Sequence, residues 1–175
     1  TMIVAEMVGI RVFVTGGIGG VHRGVNDTMD VSTDLTELGR TPVCVVSAGV
    51  KSILDIPRTL EYLETQGVTV GSYRTEEFPA FFTSKSGCKS HCRFDTPEEV
   101  AKVIFMNQQL RIKSGILVAV PILPEDEAQA EKTNDATDQA LAEAEQGGIK
   151  GKDVTPFLLQ RINELTGGES LKASK

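Results

Sequence analysis

The sequence predicts an α/β protein with a largely parallel sheet, and two patterns carry that expectation. Short apolar, β-branched runs recur at Arg11–Thr15, Val43–Ser47, Val68–Gly71 and Ile116–Val120. Unbroken runs of this kind read as strands buried on both faces. Segments with helical start and stop signals lie between or after them, and that alternation builds parallel sheets.

Each element has its own local reason. Thr1 to Gly9, "TMIVAEMVG", reads as the back of a helix. "RVFVT" is the first strand, and "GGIGGVHRG" follows it with five glycines in nine positions. Glycine is costly to order, so such a loop needs a turn or a ligand to justify it. Loops at the C-terminal ends of strands are where open α/β sheets bind ligands. "VHRGVNDTMD" reads as loop. In "DVSTDLTELG", Asp34 and Glu37 have capping-box spacing, and a short helix is expected to begin near Ser32.

Further along, "DIPRTLEYLETQG" has Asp55 as cap, Pro57 in the first turn, apolar Leu60 and Leu63, and Gly67 as stop. "TPEEVAKVIFMNQQL" opens with a capping box at Thr96 and puts Val100, Val103 and Ile104 on one face. Glu125 to Gln146 is acidic and alanine-rich, the pattern of a solvated surface helix. "TPFLLQRINELTGG", Thr155 to Gly168, is amphipathic, capped by Thr155-Pro156 and ended by glycine. Its apolar face is expected in the core or at a subunit contact.

The bulk numbers bound the function. With 175 residues, 40% hydrophobic and 24% charged, the chain suits a single domain over residues 1–175. A net charge of −6 argues against nucleic acid as the main partner, since that binding needs a basic face. A small anion held by a few local donors stays possible. No apolar run is long enough to span a bilayer and no secretory signal pattern opens the chain, so no membrane partner is expected. The three cysteines, Cys44, Cys88 and Cys92, form an odd set without a secreted context, read as reduced thiols and a cytoplasmic location.

Two motifs are tested and set aside. A dinucleotide fingerprint would want glycine at positions 17, 19 and 22, but position 22 is His22 and the next stretch is not helical. "CKSHC" invites zinc, yet its spacing is long for a knuckle and no second pair follows, so it reads as loop thiols.

Two other stretches carry chemistry. The Ser32 and Thr33 hydroxyls with free helix amides suit a phosphate, although simple capping explains them equally. Asp30, just before them, suits a hard divalent cation held through water. In "VCVVSAGVKSILD", Lys51 follows a buried strand, with Asp55 as its next acid. Desolvation there would leave a neutral, nucleophilic amine able to form a Schiff base, while the plain alternative is a lysine reaching solvent.

Together, "VFVTGGIGGVHRG", "DVSTDL", "VSAGVKSILD", "TLEYLETQGVTVGSYRTEEFPAFF" and "TPFLLQRINELTGGESL" closely resemble pseudouridine-5'-phosphate glycosidases, the family also called indigoidine synthase A-like. The match runs in order over essentially the whole chain. The resemblance implies a layered α/β/α sandwich, a homotrimer, a divalent cation (typically Mn2+), and reversible cleavage of the C–C bond between uracil and ribose 5-phosphate. By the same resemblance Lys51 is the covalent nucleophile, Asp30 the metal ligand, Ser32, Thr33 and Asp34 substrate-binding positions, and His22 a neighbour of the substrate.

The family's general acid, a glutamate, and a further substrate-binding lysine belong to a region before Thr1, and a base-contacting asparagine falls where this chain has Ser174. The domain is therefore expected to be incomplete at both ends. Two alternatives stay open: a non-catalytic chain keeping ligand binding or oligomer contacts, and another Schiff-base lyase acting on a phosphosugar C-glycoside.

Overall fold

A computed structural model of the chain describes residues 1–123, 130–149 and 153–168. The apolar runs pair as β1 (Val12–Val14), β2 (Cys44–Ser47), β3 (Thr69–Tyr73), β4 (Cys92–Phe94) and β5 (Ile116–Ala119). They form one sheet in the order β1-β2-β5-β3-β4, and every strand pair is parallel. β4 goes beyond the sequence expectation. Its three residues centre on the exposed Arg93, so hydrophobic patterning alone had nothing to register. Gly71 on β3 makes room for it, because a Cβ there would collide with the Phe94 ring.

Helices occupy the connections: α1 (Met2–Met7), α2 (Val25–Thr28), α3 (Thr33–Leu38), α4 (Ile56–Thr65), α5 (Pro97–Gln109), α6 (Ala130–Gln146) and α7 (Val154–Leu165). The caps of α4 and α5 are those the sequence signals. The Asp55 carboxylate accepts the Arg58 N–H at 3.1 Å, and Thr96 and Glu99 exchange reciprocal bonds at 3.3 Å. Each cap contributes about 1 kcal/mol.

Three local expectations change. The stretch after the glycine loop is not wholly irregular: α2 is one helical turn, set between left-handed Gly24 and Met29. Helix α7 begins at Val154, before Thr155, and Asp153 makes no side-chain cap bond. Pro156 still lies in the first turn, where no N–H is required. The acidic stretch is also more than a solvated face. Over the described part of that stretch, Thr133, Ala136, Thr137, Ala140 and Ala144 are buried, and α6 packs on α7. Small residues at these spacings let two helices approach closely, and Glu143 on α6 pairs with Arg161 on α7 at 2.6 Å. Glu125 to Gln129, and Ser174, lie outside the described residues.

The core has two parts because the sheet has two covered faces. On one, Val45, Leu117 and Val70 meet Leu35 and Leu38 of α3, Leu60 and Leu63 of α4, and Leu158 and Ile162 of α7 in a continuous cluster. On the other, Cys44, Ile116, Val118 and Phe94 meet Val100, Val103 and Ile104 of α5. Burial on this second face pushes the Cys44 thiol up to about 11. The arrangement is the layered α/β/α sandwich. Among the described residues no helix is long and apolar enough to cross a membrane.

Candidate active site

Strands β1 and β2 end side by side, and the chain continues their parallel pairing into the two loops beyond. Ala48 N–H donates to Gly16 O at 2.9 Å, Ile18 N–H to Gly49 O at 3.1 Å, and Lys51 N–H to Ile18 O at 3.2 Å. The glycine loop then turns and is held from two further sides. His22 N–H donates to Asp30 O and Ser32 N–H to Gly20 O, both at 3.0 Å, while Asp55 N–H donates to Val21 O at 2.9 Å.

This network answers why so many glycines follow β1. A Cβ on Gly19 would run into the Ser32 side chain, and one on Gly20 would lie 2.5 Å from Thr59 Oγ1. Those glycines let backbone meet protein rather than ligand. Gly49 is the companion case in the other loop: its φ is +103°, and a Cβ there would strike Pro79 O.

The loops bring the candidate residues into one neighbourhood. Lys51 is half-buried, and its backbone is fixed on both sides, since its C=O also accepts Leu54 N–H at 3.0 Å. His22 is largely buried and its Nδ1 lies 3.7 Å from Asp30 Oδ2. Ser32 caps α3 by accepting Asp34 N–H at 3.3 Å. Thr33 and Asp34 are exposed on the first turn.

Two details depart from the sequence reading. The capping interaction runs from Ser32 to Asp34, not between Asp34 and Glu37. The Asp34 carboxylate instead accepts Gly19 N–H at 2.8 Å, fastening the glycine loop to α3. The Glu37 carboxylate turns forward to Arg40 and Thr41, and those hydrogen bonds, Arg40's foremost, hold its pKa below the usual range. Thr59 is a residue the sequence did not flag. Fully buried on α4, its Oγ1 accepts Val21 N–H at 2.9 Å and donates to Asp55 O at 2.7 Å. Its only sequence signal is a hydroxyl on the apolar face of a helix, which backbone bonding to the preceding turn explains just as well.

Among the described residues no three His, Cys, Asp or Glu side chains form a metal-binding set. A hard cation on Asp30, whose carboxylate lies 3.7 Å from His22, would therefore have to keep most of its water. In "CKSHC" the side chains go separate ways. Cys92 Sγ donates to Val70 O at 3.2 Å, Cys88 Sγ faces Ser86 O, and His91 lies 3.9 Å from Glu64. Burial raises the Cys92 pKa.

An open parallel sheet with its candidate residues on the loops after two adjacent strands defines an α/β protein, the class of fold that binds ligands at its strand ends. Within that class, the chain belongs to the family of indigoidine synthase A like proteins, which it matches over residues 1–175. It is 59% identical over 174 residues to a pseudouridine-5'-phosphate glycosidase of Arabidopsis thaliana, covering 99% of this chain and 53% of that protein. It is 53% identical to a pseudouridine-5'-phosphate glycosidase of Staphylococcus aureus (strain MW2), covering 99% and 57%.

Among solved structures it is similar to the prealnumycin C-glycosynthase AlnA, in complex with ribulose 5-phosphate (TM-score 0.91, 39% identity, 99% of this chain and 57% of that one). An indigoidine synthase A-like protein from Thermotoga maritima gives a TM-score of 0.86 at 38% identity, covering 99% and 56%. The chain thus spans little more than half the length of these relatives.

Proposed function

We propose that this chain carries the lysine-bearing part of a pseudouridine-5'-phosphate glycosidase, splitting the C–C bond between uracil and ribose 5-phosphate reversibly through a Schiff base on Lys51. The observation behind this reading is the backbone network that fixes Lys51 beside the loop bearing His22, Asp30 and Ser32. The names of its relatives agree with it. The base of a C-glycoside leaves through carbon, so protonating a heteroatom does not release it. An acid at the ring oxygen opens the ribose, the uracil ring conjugates with C1', and the Lys51 amine adds there. Protonation at uracil C5 expels the base, and water hydrolyses the remaining imine to release ribose 5-phosphate.

Ser32 and Thr33 would meet the phosphate, with Asp34 holding the loop to them, and His22 would border the sugar or base. A Mn2+ ion on Asp30 would offset phosphate charge and help to place the sugar, and placement alone lowers such barriers substantially. Homotrimeric assembly and a cytoplasmic location complete the reading. The second reading is a chain that binds the same phosphosugar through these loops without turnover; the matched stretch is 53% of the length of the Arabidopsis relative.

Ribose 5-phosphate with borohydride tests the lysine. One reduced sugar phosphate should map to Lys51 and disappear in Lys51→Ala; labelling scattered over surface lysines would overturn the assignment. Asp30→Asn should weaken Mn2+ binding in calorimetry with an unchanged circular dichroism spectrum. Equal binding would move the cation elsewhere. Uracil release from pseudouridine 5'-phosphate separates the two readings: turnover supports the glycosidase and its absence the binder.

A further inference from the structure

A turn of uncommon geometry packs against the loop after β2 that carries Lys51. Phe82 N–H donates to Ala80 O at 2.7 Å, and Phe81 between them has a φ of +65°. A hydrogen bond spanning one residue of positive φ is the rarer, strained kind of γ-turn. A bulky side chain seldom adopts that backbone. Such strain persists only where the surroundings impose it, and it gathers at functional sites.

The surroundings of Phe81 are the two loops of the candidate site. Its N–H donates to Ala48 O at 3.0 Å, and Ala80 pairs with Gly49 in an antiparallel bridge. The glycine loop binds residues 48 and 49 from their other side, through Gly16 and Ile18. The Phe81 ring lies against Gly17, where a Cβ would sit 2.5 Å from Cδ2 and 2.6 Å from Cε2. Phe82 meets that ring edge-on, with centroids 4.4 Å apart, and Phe81 is buried. One residue thus holds the lysine loop with its backbone and the glycine loop with its ring.

Lys51 depends on such support. Among the described residues its amine has no hydrogen-bond or ion-pair partner, so the backbone beneath it sets its place. That backbone leaves β2 through Gly49, whose positive φ and missing side chain leave the loop other conformations to adopt. We propose that Phe81 is a positioning residue for Lys51: its turn and ring set the lysine loop against the glycine loop and so aim the amine at C1'. The proposal rests on the reading of Lys51 as the Schiff-base nucleophile. Misplacing a reacting group by about 1 Å costs roughly a hundredfold in rate. Loosening this wedge should therefore slow imine formation more than it weakens sugar-phosphate binding, since Ser32 and Thr33 belong to the start of α3 and not to this turn.

Borohydride trapping of ribose 5-phosphate over a range of sugar concentrations separates rate from binding. The Lys51 amine condenses with the sugar aldehyde, water leaves, and borohydride supplies the hydride that fixes the bond. Phe81→Gly accommodates the positive φ but removes the ring, whereas Gly17→Ala presses on the ring and leaves the turn's own residues unchanged. Each should lower the maximal trapping rate roughly tenfold or more, with the half-saturating concentration within about twofold of the unaltered chain's. Phe81→Leu, which refills part of the space, should trap at least about threefold faster than Phe81→Gly. Because both substitutions act through one ring, adding Gly17→Ala to Phe81→Gly should cost less than about twofold more. Circular dichroism establishes that each variant is folded, and Gly17→Ala and Phe81→Leu carry the comparison if Phe81→Gly is not. Unchanged maximal rates, or a change confined to the half-saturating concentration, would overturn the proposal while leaving Lys51 as the nucleophile. Label absent from Lys51 in the unaltered chain would remove the lysine assignment, and this proposal with it.

Discussion

Two rows of side chains cross the sheet one residue apart and meet different surroundings. Phe13, Val45, Leu117 and Val70 are in register on one face, packed under α3, α4 and the helical pair α6–α7. On the other face Val14, Val46, Val118, Gly71 and Cys92 are in register. There burial is complete at Val118 under α5 and falls away to 70% exposure at Val14. Both rows are uncharged, and each carries valine at two or more positions. What differs is which helices, arriving from elsewhere in the chain, lie above them. An apolar strand therefore marks where cover is needed and does not supply it.

Substitutions along adjacent positions turn this contrast into measurements. Leu117→Ala, at a position with no exposure, should cost about 2–5 kcal/mol, read as a lower urea midpoint with an unchanged slope. A loss below about 1 kcal/mol would mean that the first face is looser than the packing indicates. Ile116→Val, next to it but under α5, should cost about 0.5–1.5 kcal/mol by the same measurement. A loss well above about 1.5 kcal/mol would show that α5 cannot close over the space left by one methyl group. Val14→Thr should change the stability of the isolated chain by no more than about 0.5 kcal/mol. A larger loss would show that Val14 is covered in solution, by a second copy or otherwise.

Much of the candidate site could be read from the sequence. Lys51 follows an unmistakable strand, so its place at a strand end was visible in "VCVVS". Ser32 as a helix cap was visible in the residue types around it. The contacts that give these residues their positions were not. Asp34 reaches back fifteen residues to Gly19 and Thr59 reaches thirty-eight to Val21, distances over which local propensity carries no information. The resemblance to a family supplied roles for Lys51 and Asp30. It did not supply the reason for the glycines, which is the close approach of Ser32 and Thr59 to their backbone.

The same division holds for the whole chain. The caps at Asp55 and Thr96 and the strands at Cys44–Ser47 and Ile116–Ala119 were determined by the sequence itself, because each rests on interactions within a few residues. Only the tertiary structure decided the strand order β1-β2-β5-β3-β4, the addition of the short β4, and the burial of the alanine stripe on α6. It alone also left β1 uncovered on the α5 side. These outcomes depend on which distant surfaces meet, and burial is a property of the pair in contact rather than of either segment alone.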